Sequence, residues 1–201
     1  ISIEGIYSHL SSADEDNSLD PKSSTQLQRL KFKELLKQIN VDSNHNIKIH
    51  LANSAGMLLN KDFHFHMVRV GLSMYGYSPL AKIDKNLCLK PALFLKVKVA
   101  FIRVIDQGVR VSYGGKFVSS RKTKLAVLSI GYADGVPRNL SGKIKVIFKN
   151  KLYPQVGSIT MDQMMVDITG SDEIKVGSTM LLLGSEGNKT ISPIDWARES
   201  N

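Results

Sequence analysis

Six positions along this 201-residue chain put a chemically capable side chain, or a glycine, where an apolar strand-like run ends. His9 follows Gly5-Ile6-Tyr7-Ser8. Asn53 and Ser54 stand between the run Ile47 to Leu51 and the helix-like stretch Ala55 to Leu59. A hydroxyl and the free backbone N–H groups of a helix start could hold a phosphate, although serine there can also be an ordinary helix cap. Arg69 lies inside Met67-Val68-Arg69-Val70 and is followed by Gly71-Leu72. An unpaired guanidinium in an apolar strand is costly, so Arg69 either meets a ligand or an ion-pair partner, or sits at the strand's exposed end. Gly71 would let backbone amides approach a ligand closely. Tyr113 ends Arg110-Val111-Ser112 and precedes Gly114-Gly115, two glycines that either clear space for a ligand or make a hairpin turn. His9 is open to two readings as well, a site residue or a satisfied core histidine.

Two further loops are irregular: Ile130 to Arg138, with two glycines and a proline, and Gly157 to Gln163. Neither has the spacing of a P-loop or of a dinucleotide-binding glycine fingerprint. His64 and His66 have no carboxylate or cysteine cluster at metal-ligand spacing, so no metal site is expected.

The elements that must position these residues change character along the chain. Over the first 80 residues strand-like and helix-like stretches alternate, the pattern of a parallel sheet with crossover helices. Asp20-Pro21 reads as a helix start, with Leu27, Leu30, Leu35, Leu36 and Ile39 as its apolar stripe. A complete (β/α)₈ barrel takes roughly 250 residues, so three such strands amount to about three-eighths of one. Barrel enzymes carry their sites on the loops after the strands, where His9, Ser54 and Arg69 fall. Beyond Pro91 the period becomes two: Lys96 and Lys98 alternate with Leu95, Val97 and Val99, and Lys143, Lys145 and Lys149 with Ile144, Val146 and Phe148. Further strand-like runs are Arg110 to Tyr113, Leu125 to Ile130, Met164 to Ile168 and Met180 to Leu183. Short strands at this spacing predict an antiparallel β-barrel or sandwich. The expected fold is therefore α/β plus all-β, the barrel portion in residues 1–85 and the β-domain in residues 86–201.

A net charge of +9 raises the prospect of a nucleic acid or an acidic membrane surface as partner. The excess sits in residues 81–160, with 16 basic and 3 acidic side chains, on strands whose lysines alternate with apolar residues. Solvated strand faces account for it, and the basic strands lack the interleaved aromatics of a nucleic-acid platform. Neither nucleic acid nor membrane is expected as a partner. The single cysteine, Cys88, fits a reducing, cytoplasmic setting. A chain that opens Ile1-Ser2-Ile3 in a strand-like pattern is expected to be part of something longer.

Taken together, six blocks resemble the alanine racemases, pyridoxal-phosphate enzymes built from a (β/α)₈ barrel and a C-terminal β-domain. They are GIYSHLSSADE (5–15), HLANSAGMLL (50–59), VRVGLSMYGYSP (68–79), VSYGG (111–115), SIGYADGVPR (129–138) and VGSITMDQMMVDI (156–168), in the family's order. The resemblance implies racemisation of L- and D-alanine by two bases, supplying D-alanine for peptidoglycan. A related serine or broad-specificity racemase, or a non-catalytic pyridoxal-phosphate-binding protein, are the alternatives.

Residue by residue, the resemblance implies that Arg69 hydrogen-bonds the cofactor's pyridine nitrogen. Asn53, Ser54, Gly71 and Leu72 would bind its phosphate, and His9 would lie beside its ring and help position Tyr113. Tyr113 would be one base. Met161 would offer its backbone N–H to the substrate carboxylate, with Tyr132 and Asp162 lining the entrance. The family's second base, the lysine that also forms the Schiff base, lies upstream of every matching block. No lysine here falls in a matching motif, so the chain is expected to be a truncated racemase, inactive alone. Family members are homodimers in which the β-domain of one subunit completes the site on the barrel of the other.

Overall fold

The computed structural model describes residues 3–16, 20–40, 47–81 and 87–200. Ile1, Ser2 and the expected domain boundary at residues 85 and 86 lie outside them. The chain forms two compact units, Ile1–Ala92 and Leu93–Asn201.

In the first unit β1 (Gly5–Tyr7) pairs in parallel with β2 (Lys48–His50), setting Tyr7 opposite His50. Between them runs α1 (Ser24–Gln38), and α2 (Ser54–Leu59) follows β2. Ile49, Leu51, Ala52, Ala55 and Phe63 pack with Phe32 and Leu36 of α1 into one core. Phe32 and Leu36 are one helical turn apart, and burying each contributes about 1.5–3 kcal/mol.

Three expectations for this unit are corrected. First, α1 begins at Ser24, with Ser23 as its N-cap: the Ser23 hydroxyl accepts the Gln26 amide at 3.3 Å. Asp16 reinforces the first turn, its carboxylate accepting the Thr25 amide at 2.7 Å and the hydroxyls of Thr25 and Ser24 at 2.6 and 2.7 Å. Asp20 closes a separate turn through its own side chain and carbonyl, which accept the Lys22 and Ser23 amides. Second, the buried face of α1 is Thr25, Phe32 and Leu36, leaving Leu27, Leu30, Leu35 and Ile39 about half exposed. Third, residues 67–70 reach β2 by a single parallel bridge, His50 to Met67, rather than by a ladder. The preceding His66 explains this: its amide donates to the Ile49 carbonyl at 3.0 Å, and its ring Nδ1 accepts the Ile49 amide at 3.2 Å. An imidazole thus takes the place of a backbone acceptor, and the Arg69 amide resumes the register on the Ala52 carbonyl at 2.9 Å.

The second unit is an antiparallel barrel. Its strands are β3 (Leu95–Ile105), β4 (Arg110–Val111), β5 (Phe117–Val118), β6 (Thr123–Leu128), β7 (Lys145–Phe148), β8 (Lys151–Val156), β9 (Met164–Asp167), β10 (Thr179–Glu186) and β11 (Lys189–Ile191). The order β10-β3-β6-β9-β8-β7 returns to β10 where Leu181 pairs with Ile147, closing six strands into a ring; β11 hangs on β10. Closure removes the open edges that invite aggregation. Val97, Val99, Leu128, Val146, Met164, Val166 and Leu182 fill the interior, and Trp196 of α3 (Pro193–Ser200) packs on the same core.

Lys96 and Lys98 point outward from buried Val97 and Val99, matching the period-two reading. On β7 the alternation breaks, because Val146 and Ile147 are both buried where β10 closes the ring. Strand β8 contains Pro154, which has no N–H to give a ladder. It is tolerated because β9 pairs only with Gln155 and Val156, leaving that side of Pro154 unladdered.

Candidate active site

The strand ends of the first unit surround an open cleft of about 290 Å³ lined by His9, Asp14, Asn53, Ser54, Arg69, Gly71 and Leu72, among others. Period-two geometry explains Arg69's surroundings. On β2, Ile49 points into the core, so His50 takes the opposite face, beside Tyr7. Arg69 Nη1 donates to His50 Nδ1 at 2.7 Å, and Nη2 donates to the Ser8 carbonyl at 2.8 Å and lies 3.3 Å from both His9 Nδ1 and the Leu51 carbonyl. A guanidinium only donates, so His50 Nδ1 must be an unprotonated acceptor. Burial first, and then the charge of Arg69, hold the His50 imidazole below its ordinary pKa, which keeps it neutral. The Arg69 Nε–H has no acceptor among the described residues. His50 is the partner that motif reading missed. Its parity with Tyr7 and its place as the last residue of β2 were the available signal.

Asn53, rather than Ser54, caps α2: its side-chain oxygen accepts the Gly56 amide at 3.0 Å and its amide group donates to the Leu10 carbonyl at 3.2 Å. That leaves the Ser54 hydroxyl free for other work. It accepts the Gly71 amide at 2.8 Å and the Ser73 amide at 3.3 Å. With both acceptor positions filled, its proton is available to an acceptor in the cleft. Leu72 heads a 3₁₀ turn (Leu72–Tyr75), where the first amides have no helical acceptor. A Cβ added at Gly71 would meet no protein atom closer than Ser54 Oγ at 3.9 Å, so the protein itself leaves that space open.

A second cleft, of about 500 Å³, lies in the barrel unit and brings together Tyr113, Tyr132, Met161 and Asp162. Two loops are knitted to form it. The Ser112 hydroxyl donates to the Ser158 carbonyl at 2.7 Å, and the Ser158 hydroxyl donates to the Tyr113 carbonyl at 2.9 Å. The Tyr132 and Ala133 amides donate to the carbonyls of Thr160 and Met161, both at 2.9 Å. Gly131 permits this approach, since a Cβ there would fall 2.2 Å from the Thr160 oxygen. Tyr113 sits on a 3₁₀ turn between the paired strands β4 and β5 and is 70% exposed, so its ring is presented to solvent rather than packed. Gly114 and Gly115 both have positive φ, as the hairpin between those strands requires. The Met161 amide makes no hydrogen bond among the described residues. His64 contacts the Met57 carbonyl, and no group of three potential metal ligands occurs among the described residues.

The chain thus joins a parallel β/α segment, with an arginine and an acceptor-saturated serine at its strand ends, to an antiparallel barrel with a tyrosine-lined cleft. The chain belongs to the alanine racemase family, residues 1–79 matching its N-terminal domain and residues 92–201 its C-terminal domain. The alanine racemase of Prochlorococcus marinus is 48% identical over 200 residues, covering all of this chain and 52% of that protein. The Bacillus anthracis alanine racemase, solved with bound L-Ala-P, is similar at a TM-score of 0.87 and 34% identity over 99% of this chain and 50% of its own. The Bartonella henselae alanine racemase, solved with covalently bound pyridoxal phosphate, aligns at a TM-score of 0.78 and 34% identity over 98% of this chain and 51% of its own. The chain thus spans about half the length of the relatives it matches.

Proposed function

We propose that this chain carries the cofactor-binding residues and one proton-transfer group of a pyridoxal-phosphate-dependent racemase that interconverts L- and D-alanine in the cytoplasm, supplying D-alanine for peptidoglycan. The observation that carries the reading is the first cleft. Its Ser54 hydroxyl is fully used as an acceptor, so it has only a donor left to give, and the neighbouring Leu72 amide and Arg69 Nε–H are donors too. Such a donor set suits a ligand made of acceptors, a phosphate at one end and a ring nitrogen at the other.

Pyridoxal phosphate fits this set. Ser54 and Leu72 would donate to the phosphate, Gly71 would leave room for it beside them, and Asn53 would fix the start of α2 beneath it. Arg69 would face the ring nitrogen through Nε–H, with His9 beside the ring. When bound, the group supplies an electron-withdrawing ring conjugated to the substrate's α-carbon. Arg69 does not surrender its own proton, so it leaves the ring nitrogen largely unprotonated and moderates that pull, which suits removal of the α-proton alone.

Inversion at an α-carbon needs a proton taken from one face and returned on the other. Tyr113 serves one face, the Met161 amide holds the substrate carboxylate, and Tyr132 and Asp162 flank the entry. In a homodimer, the second cleft of one copy serves the first cleft of its partner. In the family a lysine serves the other face, and among the described residues none of the side chains lining either cleft is a lysine. Turnover would then need that lysine as well as the residues lining these two clefts.

Titrating the chain with pyridoxal phosphate and with pyridoxal, which lacks the phosphate, tests the reading. The phosphate form is expected to bind at least about tenfold more tightly, on the scale of one charge-assisted hydrogen bond. Equal affinities would contradict it.

A further inference from the structure

We propose that Tyr7 is a positioning residue of this site: its ring lies across the Arg69–His50 hydrogen bond and holds both partners so that the Arg69 Nε–H stays free for the ligand's ring nitrogen. The proposal rests on the reading of Arg69 given under Proposed function. Three observations support it. Tyr7 and His50 are direct partners in the parallel register of β1 and β2, so the backbone itself brings their rings together. The rings stack at 5.3 Å with only 6° between their planes, and the Arg69 guanidinium carbon lies 5.2 Å from the centre of the same tyrosine ring. Arg69 Nη1 in turn donates to His50 Nδ1 at 2.7 Å, so the tyrosine ring meets both members of one hydrogen bond.

A tyrosine face attracts a guanidinium, and a parallel ring confines the imidazole, so both halves of the hydrogen bond are constrained from one side. Tyr7 lies outside the cleft lining, and its ring faces His50 and the Arg69 guanidinium. Its hydroxyl makes no hydrogen bond among the described residues, which assigns the role to the ring. Loss of the ring would open His50 to water and let it turn and take a proton. A protonated imidazole cannot accept from Arg69. The charged groups that bear on His50 are Arg69, from residues 67–70, and Lys48, two residues back on its own strand; the titratable Tyr7 faces it from β1.

The test follows the His50 ring by NMR across pH in the parent chain, Tyr7→Phe and Tyr7→Ala, alongside titration with pyridoxal phosphate. In Tyr7→Ala the His50 midpoint is expected to rise toward the ordinary imidazole value near 6.5, and cofactor affinity to fall several-fold, most steeply below that pH. Tyr7→Phe is expected to match the parent in both readouts. A His50 midpoint unchanged by Tyr7→Ala, or a Tyr7→Phe chain that behaves like Tyr7→Ala, overturns the proposal. If the parent chain fails to bind pyridoxal phosphate while the His50 shift appears, the proposed function is contradicted and the hold of Tyr7 on the pair stands.

Discussion

The Ser54 hydroxyl accepts the Gly71 amide across 2.8 Å, tying the first residue of α2 to the turn that follows residues 67–70. This bond fixes the orientation in which Ser54 has a proton left to donate, and it places Gly71 at the rim of the same cleft. Gly71→Ala is expected to leave thermal stability nearly unchanged, because the new methyl meets nothing in the protein within 3.9 Å. It is also expected to weaken pyridoxal phosphate binding by about tenfold or more, on the order of the 1.4 kcal/mol that one lost contact represents. Gly131→Ala is the contrasting case. There the methyl would fall 2.2 Å from the Thr160 carbonyl oxygen, and overpacking against backbone costs about 1–3 kcal/mol. Denaturant unfolding and cofactor titration of the two variants separate a glycine kept for a ligand from one kept for packing.

Asp16 gives a pH dependence with a defined sign. The Thr25 hydroxyl, then the Ser24 hydroxyl and the Thr25 amide, hold its carboxyl below the ordinary carboxylate pKa. A group whose folded pKa is depressed stabilises the fold above the unfolded value, near 3.9, and that contribution disappears as pH falls through the folded pKa. Asp16→Asn is therefore expected to lower the melting temperature near pH 6, and the gap from the parent is expected to close as pH drops below about 4. A gap that stays constant from pH 6 to pH 3 would show that the cap does not depend on the charge.

In the complete racemase, Tyr113→Phe is expected to slow removal of the α-proton from L-alanine far more than from D-alanine. Under the proposed function the phenol would serve one face of the α-carbon only, so its loss would be felt in one direction. Separate measurement of α-deuterium wash-in from each isomer reads this directly, and equal slowing would remove Tyr113 from its assigned face.

Much of the site was legible because strand ends declare themselves: Ser54, Arg69 and Gly71 stood out as polar or glycine residues closing apolar runs, and all three line one cleft. His50 was not legible in that way, since its significance comes from a partner 19 residues further along the chain. The same limit explains the misplaced start of α1. Asp20-Pro21 has the local signature of a helix start, yet the capping is done by Ser23 and by Asp16 from across a loop. The leucines of α1 follow helical spacing without all facing the core, because Phe32 and Leu36 set the buried side. The third strand is reduced to a bridge by an imidazole that mimics a backbone acceptor, a substitution invisible to periodicity. In the second unit alternation together with short apolar runs located most of the strands, but the pairing of Ile147 with Leu181 that closes the barrel is long-range and left no local trace.

The central claim is that this chain supplies one half of an alanine racemase site. It is tested by joining the chain to the half of the Prochlorococcus marinus alanine racemase that it does not match, then following the conversion of L-alanine to D-alanine in the presence of pyridoxal phosphate. Conversion in both directions is expected, diminished by Arg69→Ala and by Tyr113→Phe alike. A joined protein that binds pyridoxal phosphate and leaves both isomers unchanged would contradict it.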